Sequence, residues 1–85
     1  MNPAMQQHTL TIMLQNETGA LVRVAGLFAS RSYNIDSLNV AATADPAISK
    51  LVLSIRGDDQ AVVQIVRQTR KLIDVLEVSH QATVA

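Results

Sequence analysis

The chain contains no cysteine. That excludes disulfides, thiolate metal sites and cysteine nucleophiles, and it fits a reducing compartment. Aromatic residues are nearly absent, with only Phe28 and Tyr33 among 85 residues. The chain therefore lacks the stacking platform with which small sheets grip RNA bases. Net charge is missing too: seven Lys and Arg balance seven Asp and Glu. There is no basic footprint for a phosphate backbone, so nucleic acid is not an expected partner. No apolar run approaches the roughly 20 residues of a membrane span. Residues 1–7 have neither the basic nor the apolar region of a signal peptide and read as a loose tail, which makes the cytoplasm the expected location. What remains is aliphatic. Hydrophobic residues are 48% of the chain, and the core must come from Leu, Val, Ile and Ala. A domain this small builds a modest core and often gains stability by associating.

The apolar pattern changes period along the chain. Leu10, Ile12 and Leu14 alternate with Thr9, Thr11 and Met13, which predicts a strand over residues 8–15. Residues 16–19 break it. Leu21, Val24 and Phe28, flanked by Ala20 and Leu27, then follow helical spacing over residues 20–31, with Arg23 and Arg31 towards the other side. Gly26 inside that helix costs about 1 kcal/mol relative to Ala, and close packing against a neighbouring backbone is the expected reason. Residues 34–43 predict a second strand whose pattern slips by one residue between Ile35 and Leu38, the mark of a bulge or a late start. Asp45-Pro46 is a turn signal. Leu51, Leu53 and Ile55 alternate in a third strand over 48–56. Asp58 and Asp59 cap a second helix with the stripe Val62, Ile65, Val66, Thr69 and Leu72, whose acidic start and basic end suit its dipole. A final strand covers 73–80, and residues 81–85 form a second tail, so the domain is expected over 8–80.

The order βαββαβ predicts a ferredoxin-like α+β sandwich: a four-stranded antiparallel sheet with both helices on one face. The first strand lies centrally and the second at an edge. An exposed edge without charge protection over residues 35–43 invites edge-to-edge pairing of two copies, a homodimer with an eight-stranded sheet.

The most informative segment joins the first strand to the first helix: Gln15-Asn16-Glu17-Thr18-Gly19-Ala20-Leu21. A helix start has free backbone N–H groups that favour an anion such as an amino-acid carboxylate. Within one copy, Asn16 and Asn34 fall at opposite ends of the first helix. In an edge-paired dimer, Asn34 and Ile35 of one copy approach residues 16–21 of the other, and an amino-acid pocket forms twice at the interface. On spacing alone, the commoner reading of the same residues is ordinary loop, cap and helix-terminating positions. Other chemistry is weaker. His8 and His80 come close if their strands are neighbours, but two histidines without a third ligand read as a surface pair rather than a metal site. Asp36, Asp45, Asp74 and Glu77 have no catalytic partner in the pattern, and no base is placed beside a Ser or Thr. Arg67, Arg70 and Lys71 form a basic strip on the second helix, read as a solvated face.

The segments Leu14-Gln15-Asn16-Glu17-Thr18-Gly19-Ala20-Leu21, Arg23-Val24-Ala25-Gly26-Leu27-Phe28 and Tyr33-Asn34-Ile35-Asp36-Ser37-Leu38 closely resemble the ACT domain of the acetolactate (acetohydroxyacid) synthase small subunit. The likeness continues through Lys71-Leu72-Ile73-Asp74-Val75-Leu76-Glu77-Val78. The resemblance implies a regulatory subunit, not itself an enzyme, in branched-chain amino-acid biosynthesis. It implies a catalytic large subunit as partner, carrying thiamine diphosphate, magnesium and FAD, and no cofactor in this chain. It further implies allosteric feedback inhibition by valine or a relative such as leucine or isoleucine. The effector positions it carries over are Asn16, Gly19 and Asn34, with Thr18, Ala20, Leu21 and Ile35 as weaker lining. Small subunits of this type typically carry a second domain of similar size, so the alternatives are a naturally short form or a fragment. The competing function is a module that activates its partner without effector control.

Overall fold

Period-2 segments become strands and the two 3.6-period segments become helices in the structure, a computed structural model in which residues 6–17, 19–29 and 34–83 are described. The elements are β1 (Gln6–Gln15), α1 (Ala20–Ala29), β2 (Asn34–Ala42), β3 (Ile48–Gly57), α2 (Asp59–Arg70) and β4 (Val75–Thr83). The strands form one sheet in the order β2-β3-β1-β4, every pair antiparallel. This is the ferredoxin-like topology expected from the pattern, with β1 central and β2 at an edge.

Register explains the core. Leu10 lies opposite Leu53, Ile12 opposite Leu51 and His8 opposite Ile55, so every second residue of the two central strands faces the same way. The apolar members of these pairs join Val24 and Phe28 of α1, Val62, Ile65 and Val66 of α2, and Val78 of β4 in one buried hydrophobic cluster. Phe28 is fully buried within it. Asp58 caps α2 by accepting from the Ala61 N–H at 2.8 Å. Thr69, buried on the inner face, donates its hydroxyl back to the Ile65 carbonyl at 2.7 Å, which removes the cost of an unpaired polar group there.

Several boundaries and contacts differ from the sequence-based expectation. Strand β1 starts at Gln6, and β4 runs from Val75 to Thr83, so paired backbone reaches into both stretches read as tails. Residues 71–74 belong to a turn instead: Lys71 N–H bonds to Gln68 and Leu72 N–H to Thr69, while Val75 N–H reaches back to Leu72. Ile73, expected in the strand, is 87% exposed in this turn. The buried stripe of α1 is Ala20, Val24 and Phe28 at i, i+4 and i+8, whereas Leu21 sits at its margin, 36% exposed. Gly26 has no close neighbour among the described residues, since a Cβ built there meets nothing within 4 Å. Close packing does not explain this glycine, which lies on the outer face of α1.

The bulge in β2 is where the slipped pattern puts it. Ile35 pairs with Ile55 and Ser37 with Ser54, leaving Asp36 as the extra residue. The edge is not without charge, because Asp36 accepts from Arg56 of β3 at 3.0–3.1 Å.

Candidate functional site

The β1–α1 loop is tied at three points. Asn16 N–H donates to the Ala47 carbonyl at 2.7 Å. Its side-chain amide donates to the Pro46 carbonyl at 3.1 Å and accepts from the Ser49 hydroxyl at 3.2 Å. The β2–β3 turn receiving these bonds is itself ordered by Asp45, whose carboxylate accepts from the Ala47 N–H. Asn16 thus fastens the loop to a turn 30 residues away. Among the described residues its side-chain oxygen accepts only from Ser49, which leaves a second lone pair.

Gly19 then reverses the chain into α1 with φ +91, a left-handed conformation in which L side chains are strained. Ala20 N–H donates to Glu17 and Arg23 N–H to Gly19, and among the described residues the first-turn N–H groups of Leu21 and Val22 have no backbone acceptor. Arg23 does not simply face solvent. Its Nε and one terminal nitrogen both reach Oδ2 of Asp74, a carboxylate only 5% exposed. Neither residue was expected to carry a role. Their contact spans 51 positions, and no periodic pattern reports a pairing between a helix and a turn so far away.

The expected site residues fall into two groups. Asn16, Gly19, Ala20 and Leu21 lie together at the amino end of α1, while Thr18 between them lies outside the described residues. Ala20 turns its side chain into the core, and Leu21 remains at the surface. Asn34 and Ile35 begin β2, with Asn34 opposite Arg56, and the Asn34 side chain lies outside what is described. Gln15, next to Asn16, pairs with Ile48 at the other end of β3. Eight residues of β3 at about 3.3 Å each separate the two groups by roughly 26 Å. One copy therefore does not bring them together. On the Asn16 side there is an open depression of about 450 Å³, lined by Gln15, Asn16, Glu17, Asp45, Ala47, Ile48 and Leu76.

The two histidines do meet, though not as a surface pair. His8 is fully buried. Its Nδ1 lies 2.8 Å from Nε2 of His80, while its own Nε2 has no hydrogen bond and lies 3.4 Å from the Asp59 carboxylate. One tautomer suits the two rings: His80 donates to His8 Nδ1, and the His8 N–H at Nε2 lies on the Asp59 side without a hydrogen bond to it. Burial, and then the neighbouring His8, lower the His80 pKa below the ordinary 6.5, against a smaller opposing pull from Asp59. Among the described residues no group of three or more His, Asp or Glu is placed to hold a metal ion, and no helix is long and apolar enough to cross a membrane.

Residues 10–77 match the family described as the AHAS small subunit-like ACT domain. The chain is 51% identical over 70 residues to the acetolactate synthase isozyme 3 small subunit of Escherichia coli, covering 82% of this chain and 43% of that protein. It is also 51% identical over 69 residues to the acetolactate synthase small subunit of Haemophilus influenzae, covering 81% and 42%. Among solved structures, the acetolactate synthase small subunit of Thermotoga maritima superposes with a TM-score of 0.81 at 36% identity, over 88% of this chain and 47% of that one. The ACT domain from a Chlorobium tepidum GTP pyrophosphokinase superposes at 0.79 with 17% identity, a likeness of fold alone. The chain spans less than half the length of the small subunits it matches. The length and specificity of these matches, on the topology described above, place the chain in the AHAS small subunit-like ACT domain family.

Proposed function

We propose that this chain is the ACT portion of an acetolactate synthase small subunit: a regulatory element that activates a catalytic large subunit and subjects it to feedback inhibition by a branched-chain amino acid, valine first among them. The observation that carries this reading is the 51% identity to acetolactate synthase small subunits over 70 residues that include the β1–α1 loop. In this reading thiamine diphosphate, magnesium and FAD belong to the catalytic partner, and this chain supplies binding and coupling from within the cytoplasm over a domain of about residues 8–80.

The effector site is proposed at a two-fold interface between β2 edges. The roughly 26 Å between Asn16 and Asn34 leaves each half-site incomplete in one copy, and the depression beside Asn16 lacks an outer wall. A second copy supplies that wall. The first-turn amides of α1 receive the carboxylate, Asn16 and Asn34 face the ammonium group, and Leu21 and Ile35 hold the aliphatic side chain. Gly19 permits the close approach, with Thr18 and Ala20 as weaker members. Inhibition then follows from linkage: the effector binds one dimer arrangement better and biases the partner's equilibrium towards it.

Valine at millimolar concentration is expected to raise the melting temperature, and Asn16→Ala or Asn34→Ala to abolish that increment. Asn16→Ala also removes the ties to Pro46 and Ser49, so the relevant readout is the valine-dependent shift and not the starting temperature. A second reading is favoured by one observation: the Asn16 side chain is already engaged within its own chain. On that reading the module activates its partner without effector control. Reconstitution with a catalytic subunit separates the two, because activation with no valine inhibition rejects the first.

A further inference from the structure

Asp74 holds both ends of the β1–α1 loop. Its backbone carbonyl accepts from Gln15 N–H at 2.8 Å, the last residue of β1, and its buried carboxylate holds Arg23 one turn into α1. With Nε and one terminal nitrogen committed to Asp74, the other terminal nitrogen of Arg23 lies 3.1 Å from where a Cβ on Gly19 would stand. The guanidinium is thus wedged between a buried carboxylate and the reversal point of the loop.

Resting on the effector reading above, we infer that Arg23 is a positioning residue: anchored on Asp74, it holds Gly19 and the first turn of α1 in the geometry that receives the effector. A carboxylate buried like that of Asp74 needs a partner, so the anchor is strong at one end. The Arg23 side chain is half exposed, so the pair adds little to global stability. Its leverage is on local order. A loop already held in its bound conformation avoids the ordering cost of binding, and that saving appears as affinity. Arginine suits the task because its planar fork engages one partner with two nitrogens and leaves the third to pack elsewhere, which a lysine ammonium does not reproduce.

The test uses the full chain and its Arg23→Met, Arg23→Lys and Arg23→Met/Asp74→Asn variants, the last removing the stranded carboxylate charge if Arg23→Met alone folds poorly. Valine affinity is measured by calorimetry well below each melting temperature, and amide exchange is followed residue by residue. Arg23→Met and the double variant are expected to weaken valine about tenfold or more, and Arg23→Lys to restore only part of that. Exchange at the hydrogen-bonded amides of Ala20 and residue 23 should accelerate while Leu53 and Ile55 stay protected. Folded variants with wild-type valine affinity and wild-type exchange at the Ala20 and residue-23 amides overturn the inference. So does acceleration spread evenly over loop and core, which marks a merely structural role. If the wild type binds neither valine, leucine nor isoleucine, the effector reading fails, and exchange at the Ala20 and residue-23 amides alone decides whether Arg23 holds the loop.

Discussion

Two glycines of the α1 region respond to a side chain in opposite ways. Gly19 has φ +91 and a guanidinium 3.1 Å from the position of a Cβ. Gly26 is helical and meets nothing there among the described residues. Gly19→Ala combines backbone strain with displacement of Arg23 and is expected to destabilise by about 1–2 kcal/mol. Gly26→Ala removes the entropic weakness of a mid-helix glycine and is expected to stabilise by up to about 1 kcal/mol. In a domain of this size 1 kcal/mol moves the melting temperature by roughly 4–8 °C, so thermal denaturation resolves the opposite signs. A loss of stability in Gly26→Ala would reveal a neighbour of the outer face of α1.

Between elements, buried His8 links exposed His80 and Asp59, and so connects β4, β1 and the amino end of α2. Since the His80 pKa is lowered in the folded state, the unfolded chain binds more protons as pH drops below 6.5. Stability from this group is fully present above that value and is lost as pH falls through 6.5 towards the lower folded value. Denaturant unfolding between pH 8 and 5 should show stability declining below about 6.5, with a shallower decline in His80→Gln. Equal slopes in the two proteins would remove His80 as the cause.

Across the whole molecule, the helices cover less of the sheet than its width. Ile35, Leu38 and Val40 lie opposite Ile55, Leu53 and Leu51, on the core-facing side of β2, yet remain 37%, 42% and 49% exposed. Their neighbours in β3 are buried and they are not, so the sheet ends in an apolar shelf beside an edge with no further strand among the described residues. An exposed edge of this kind calls for a partner strand. Sedimentation equilibrium should find a homodimer at micromolar concentration, and Leu38→Lys, with an unchanged far-UV spectrum, should shift it to monomer. A monomeric wild type would remove the two-fold site and leave each half-site open.

The sequence by itself determined the order of elements, most of the buried stripes, the Asp58 cap and the slip in the β2 pattern, because each depends on the period of nearby side chains or on local capping chemistry. That the slip is a bulge at Asp36, and that Ala20 takes the place of Leu21 in the α1 stripe, came from the structure. The sequence also carried the loop motif by which the family is identified. Where β4 begins was not legible, because the turn at 71–74 is made by backbone hydrogen bonds to the end of α2 and not by side-chain pattern. The reason for Gly26 was misread since exposure depends on what the rest of the chain leaves uncovered. Only the tertiary structure decided what binds Arg23, how Asn16 spends its side chain and how deeply His8 is buried. Those contacts join residues 30 to 72 positions apart. Local periodicity records which face of an element is buried, but the partner met there is chosen by how the sheet and its crossovers bring distant segments together.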